Sequence, residues 1–269
     1  MEEVTFMDRR IAFLFALSLS MSACGGNNST PVSADSLSGN WQMTLNDASN
    51  TKINNTQSGS LIQNGGNLTG SVILSDSPCS GVGNVSGTVT GSTVSLTVDP
   101  VGTTLTLSGT TSTMNSQPSM SGNYTILSTG CAGSQSDPGT GTFIANLVTP
   151  LNGNITGSFV SNEETSYAVS GQVTQGTNNG TSSTPLSGSF TFTGFCYPNA
   201  NIVGSVSGTS VVMNLADSDG AQIGQMTGTA SLDGTTVTGT YNDLGLGKGA
   251  ASGCTGAGKG TVTLAIAGS

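Results

Sequence analysis

Five cysteines and a few carboxylates are the residues of this 269-residue chain that could do chemistry, because the chain contains no histidine. Nucleophilic triads built on histidine are therefore excluded. The cysteines stand singly, at Cys24, Cys79, Cys131, Cys196 and Cys254, with no CxxC spacing, so they do not make a zinc ligand set. The closest carboxylate pairs are Glu163 with Glu164 and Asp217 with Asp219. Adjacent glutamates on a strand point to opposite faces. The DSDG run from Asp217 to Gly220 reads as a hairpin turn, and it lacks the longer pattern of a dedicated calcium loop. No glycine-rich stretch carries the lysine of a phosphate-binding loop. The expectation is a protein that is not an enzyme and holds no metal or cofactor.

The elements that position these residues occur twice. Adding 117 carries Cys79 to Cys196, Gly87 to Gly204, Val89 to Val206, Gly91 to Gly208, Val94 to Val211 and Tyr124 to Tyr241. The closing cysteines, Cys131 and Cys254, are 123 apart, which places a short insertion in the GLGKGAASGC loop. Upstream the echo is fainter, with SGNW at Trp41 answering NGNI at Ile155, and LTGS from Leu68 answering LSGS from Leu186. Two copies of one unit follow.

With 40 glycines, abundant Ser and Thr and 7% charged residues, the composition favours strands and tight turns over helices. Period-two alternation marks VSLTV from Val94, TLTLS from Thr104, GTFIANL from Gly141, VVMNL from Val211 and TVTLAI from Thr261. Turn signals fall at Asn64 to Asn67, Thr90 to Thr93 and Asp233–Gly234, the last favouring a tight hairpin. The predicted class is all-β: two antiparallel meanders of about eight strands each, closed as barrels or barrel-like sandwiches. One continuous barrel or sandwich from both copies is the alternative. A membrane-spanning barrel would invert inside and outside, but the short strands and missing aromatic girdles oppose it.

At the N-terminus, MDRR from Met7 gives a positive segment, followed by the apolar run IAFLFALSLSMSA, small residues and Cys24, the order of a secretory signal. MSAC resembles the lipobox of bacterial lipoproteins. The resemblance implies that Cys24 is lipidated and becomes the first mature residue, and that Gly25, not being aspartate, permits transfer to the outer membrane of a two-membrane bacterium. MEEVTF dilutes the positive segment, which points to translation starting at Met7. The domains are then a signal at 1–23, a flexible tether at 24–36, repeat one at 37–149 and repeat two at 150–269. The mature chain holds three lysines and 11 acidic residues, net −8, which excludes a nucleic-acid partner. Its expected partner is a membrane, reached through the lipid anchor.

With Cys24 lipidated, four cysteines remain in an oxidising compartment, and four allow three connectivities. The repeat selects Cys79 with Cys131 and Cys196 with Cys254.

SGNW at Trp41, with LTGS and SGNY, resembles the strand openings of lipocalin and avidin barrels, although Ile155 replaces the tryptophan in copy two. That resemblance implies a barrel and supplies no binding residues. Trp41, Tyr124 and Tyr241 read as core plugs, with ligand or surface contact as the competing role. FTFTGFCY, holding Phe195 and Tyr197, is the first choice for a recognition surface, with support of Cys196 as the alternative. Two functions are compatible with these residues. One is a lipid-anchored envelope protein with a structural or surface-interaction role; the other is a carrier holding a small apolar molecule inside a barrel.

Overall fold

Apolar and hydroxyl side chains alternate along nearly every strand of this protein, so each strand has one face that must leave water. In KGTVTLAIA at the end of the second copy, Val262, Leu264 and Ile266 are buried while Thr261, Thr263 and Ala265 are exposed. A sheet of such strands buries its apolar face by curling on itself. The computed structural model describes residues 36–48, 54–75, 81–99, 103–114, 117–128, 139–193, 198–243 and 258–268. Cys24, all four remaining cysteines, Phe195, Tyr197, the signal and nearly all of the tether lie outside these described residues.

The first copy supplies eight strands, β1 (Gly39–Asp47), β2 (Asn54–Asn64), β3 (Asn67–Leu74), β4 (Gly81–Thr90), β5 (Thr93–Asp99), β6 (Thr103–Met114), β7 (Gln117–Ser128) and β8 (Gly139–Val148). The second supplies β9 (Gly153–Ser161), β10 (Ser166–Gln175), β11 (Thr184–Thr193), β12 (Asn199–Ser207), β13 (Ser210–Ala216), β14 (Gln222–Ala230), β15 (Thr236–Asp243) and β16 (Lys259–Ala267). Each set is an antiparallel meander closed on itself, β1 pairing with β8 and β9 with β16. The architecture is thus two eight-stranded barrels, with separate apolar cores. A single continuous barrel is ruled out by those closures.

Closure at this strand number needs sharp bends, and inward-facing glycines supply them. Gly141 on β8 lies opposite Tyr124 on β7, and Gly260 on β16 lies opposite Tyr241 on β15. A Cβ on Gly141 would run into the carbonyl oxygen of Asn46 and lie 2.7 Å from the Tyr124 ring. On Gly260 it would meet the carbonyl of Val160 and lie 2.8 Å from the Tyr241 ring. The space a side chain would need is already filled by backbone and tyrosine.

One end of each barrel is sealed by the same device. The Leu37 N–H donates to Gln63 Oε1 at 2.7 Å, the Gln63 N–H donates to Ser38 Oγ at 2.8 Å, and the Trp41 indole donates to the Leu37 carbonyl at 2.9 Å. In the second barrel the Leu151 N–H donates to Gln175 Oε1 at 3.0 Å, and the Gln175 N–H reaches Asn152 Oδ1 at 2.8 Å. Ile155 has no indole there, and the Leu151 carbonyl accepts the Gln175 N–H at 3.1 Å instead. Leu37 and Leu151 are both fully buried plugs.

Gln57 breaks the apolar pattern of the first lumen. It pairs with Met43 and Leu74, is 1% exposed, and its Oε1 has no hydrogen-bond partner among the described residues. The matching position of the second barrel is Val169, between Gly157 and Phe192. A buried acceptor left unmade costs about 1–3 kcal/mol. Gln57→Leu is therefore expected to stabilise the protein by about 1 kcal/mol, read as a higher midpoint in urea with an unchanged slope. A lower midpoint would mean that the amide is held by a bound water.

Candidate functional site

Of the aromatic residues that the sequence singled out, those among the described residues are inside. Trp41, Tyr124 and Tyr241 are buried at 2%, 2% and 5% exposure, so burial closes the surface-contact role to them. Phe190 and Phe192, from the recognition stretch, also face the lumen. Phe159 packs edge-on against Phe190, Phe192 and Tyr241 with ring centroids 5.8, 5.2 and 5.1 Å apart. Beside this cluster Phe159, Phe192, Leu215, Ile223 and Tyr241 line a pocket of about 10 Å³, about the room of one water.

The carboxylates are turn residues. Asp217 is buried, and its Oδ1 accepts the N–H groups of Asp219 at 3.0 Å and Ala221 at 2.9 Å, fixing the turn between β13 and β14. Glu163 and Glu164 do not sit on a strand as expected. They occupy the turn between β9 and β10, both exposed, with Glu164 at φ 64°. The Asp233–Gly234 signal lies in a five-residue connection, 231–235, longer than the tight hairpin expected. There the Asp233 carboxylate accepts from Ser231 Oγ at 2.5 Å and Thr235 Oγ1 at 2.8 Å, and these hydroxyls hold its pKa below the ordinary value. Among the described residues no three His, Cys, Asp or Glu side chains come together to hold a metal.

The strand ends that flank the cysteines share a rim. In the first barrel the β3–β4 and β7–β8 connections leave the same end, from opposite sides of the ring. The β11–β12 and β15–β16 connections do the same in the second.

Outside, the register aligns hydroxyls into rows. Ser86, Thr97, Thr106, Thr125 and Thr140 are successive cross-strand neighbours over β4 to β8. Thr88, Ser95, Ser108, Asn123 and Thr142 form the next row. The second barrel repeats the pattern with Thr229, Thr238, Thr263 and Ser158. Strands about 4.8 Å apart give these rows a regular spacing, and no charged side chain interrupts them. Apolar inside and hydroxylated outside is the reverse of a membrane-spanning barrel.

The barrels meet where the β12–β13 turn of the second sits on the β1–β2 wall of the first. Asn40 Nδ2 donates to the Gly208 carbonyl at 2.6 Å, and the Gly208 N–H donates to Asn40 Oδ1 at 2.6 Å. Gln42 Oε1 accepts from Thr209 N and Oγ1 at 2.9 and 3.0 Å. Ser58 and Ser207 hydroxyls lie 2.9 Å apart, Ser60 Oγ donates to the Thr181 carbonyl, and Asn178 Nδ2 donates to the Leu61 carbonyl at 2.7 Å. Gly208 has φ 55°, and a Cβ there would strike Gln42 Oε1 and lie 2.6 Å from Ser58 Cβ. Beside the junction is a cleft of about 290 Å³, lined by Ser38, Asn40, Ile62, Pro150, Gln175 and Asn178 among others. Nothing in the spacing of Asn40 and Gln42 marked them in the sequence, because a junction of polar side chains has no periodic signature.

No protein-family model matches the chain, and no curated protein matches it. Among solved structures, kievitone hydratase from Nectria haematococca is similar at 8% identity over 87% of this chain and 90% of that one, with a TM-score of 0.23. A likeness at that level carries no argument about fold or activity.

Proposed function

We propose that this protein is a lipid-anchored component of a bacterial cell envelope, exported through its N-terminal signal and acting through its outer surface in a structural or adhesive role. The observation that carries this reading is the division of labour in the barrels. Among the described residues, buried apolar side chains point into both barrels, and the pocket at the aromatic cluster of the second has the volume of about one water. A carrier needs a cavity of a few hundred Å³ inside the barrel. Rows of Ser and Thr with few charges run over the outward face, suited to contact with hydrated neutral surfaces.

In this reading Cys24 carries the lipid, and two disulfides, Cys79–Cys131 and Cys196–Cys254, each tie opposite hairpins across one barrel rim. The shared rim of the flanking strands supports that pairing. Each bond closes a loop of about 50 residues, worth on the order of 4 kcal/mol in the chain-entropy model. The proposed site of residence is the outer membrane.

Fractionation of the native host tests the anchor. The wild-type chain is expected in the detergent-soluble membrane fraction, and Cys24→Ser is expected to leave it, because several acyl chains hold a protein stably where none does not. Wild-type chain recovered in the soluble fraction, or a Cys24→Ser chain that stays with the membrane, would overturn the proposal.

A further inference from the structure

The contact between the barrels joins two different surfaces of a repeated unit, a turn of the second and a wall of the first. Any head-to-tail contact between equivalent units leaves one turn and one wall unused at the ends of the pair. Both unused surfaces are present. The counterpart of Gly208 is Gly91, in the β4–β5 turn, with φ 57° against 55°, exposed and with open space around it. The counterparts of Asn40 and Ser58 are Asn154 on β9 and Ser170 on β10, and both are exposed. The register supports this equivalence: Asn40 pairs with Ser60 and Gln42 with Ser58, as Asn154 pairs with Gln172 and Thr156 with Ser170.

We infer that the chain associates head to tail with further copies of itself, the Gly91 turn of one copy docking on the Asn154–Ser170 wall of the next. The Asn154 Oδ1 accepts only a long, exposed bond from Gln172 Nε2 at 3.3 Å, and on giving that up the amide offers the Gly91 N–H and carbonyl the same two hydrogen bonds that Asn40 makes to Gly208. None of these residues is charged, so the contact meets no like-charge repulsion. The second wall lacks the counterpart of Gln42, which is Thr156, and carries Gln172 in place of Ser60. The tight turn at Gly65–Gly66 replaces the long β10–β11 connection that carries Asn178 and Thr181. The contact between chains is therefore smaller than the one within a chain, and transient. Confinement on a membrane would raise the effective concentration into the mM range and favour strings of copies. The contact itself does not depend on the anchor.

Sedimentation velocity of the full-length chain carrying Cys24→Ser, from about 10 μM to about 1 mM, tests this in the affinity range of small interfaces. Weight-average sedimentation is expected to rise with concentration and continue past the dimer. Gly91→Asn, which keeps a residue tolerant of positive φ, and Asn154→Ala are each expected to sediment as monomers. An equal mixture of the two variants is expected to form pairs and nothing larger, since each supplies the surface the other lacks. That pairing also shows both variants to be folded. A monomer at every concentration, association undiminished in both variants, or a mixture that fails to pair would overturn the inference.

Discussion

Gly141→Val is expected to unfold the first barrel or cost it about 4 kcal/mol, at the upper end of what single substitutions do. The reason is geometric. The new Cβ meets the Asn46 carbonyl, which is fixed by the closure of β1 on β8, and the Tyr124 ring, which is 2% exposed and packed on all sides. Neither neighbour is the free end of a flexible chain. Thr142→Val, one residue along and facing solvent, serves as the control and is expected within about 0.5 kcal/mol of the parent. Chemical denaturation measures both. If Gly141→Val melts like the control, β8 is not bent against its neighbours and the barrel does not close as described.

Asn40→Ala is expected to release the barrels from each other without unfolding either. The side chain is 3% exposed and makes both hydrogen bonds to Gly208, so its loss leaves a buried N–H and carbonyl unpaired, at a cost of about 2–4 kcal/mol. The two apolar cores are separate and share no residue, so each barrel keeps its own stabilisation. Small-angle scattering is expected to show a larger radius of gyration and a broader distance distribution, while far-ultraviolet circular dichroism stays the same. An unchanged radius would mean that the remaining bonds at Gln42, Ser58, Ser60 and Asn178 hold the junction without Asn40.

The fold was legible because it rests on a local rule. Alternation in VSLTV or TVTLAI places every second residue inside whatever the strand's partners are, and the repeated Gly91 and Gly208 turns reverse the chain at matching places. The constant offset of 117 tracks β4 and β5 onto β12 and β13. The sealing device escaped notice because its offset is 114 for Leu37, Ser38 and Trp41, and 112 for Gln63. Its bonds also join a backbone N–H to a glutamine side chain about 25 positions away, a pairing that no local periodicity marks. Gln57 was equally silent, since a lone glutamine in a Ser- and Thr-rich strand reads as one more outward polar residue. Trp41, Tyr124 and Tyr241 are buried, as side chains of their size commonly are, while Phe195 and Tyr197 lie outside the described residues. Glu163 and Glu164 were misplaced because two adjacent glutamates carry no turn signal, and the positive φ at Glu164 is imposed by the connection around it.

The central claim is that the barrels hold no cargo and the protein works through its outside. Native mass spectrometry of the mature chain purified from its own host, compared before and after denaturation, tests it most directly. The account predicts a mass of chain plus lipid, short by four hydrogens for two disulfides and identical before and after unfolding. A reproducible small-molecule adduct released only on unfolding would contradict it and make the protein a carrier.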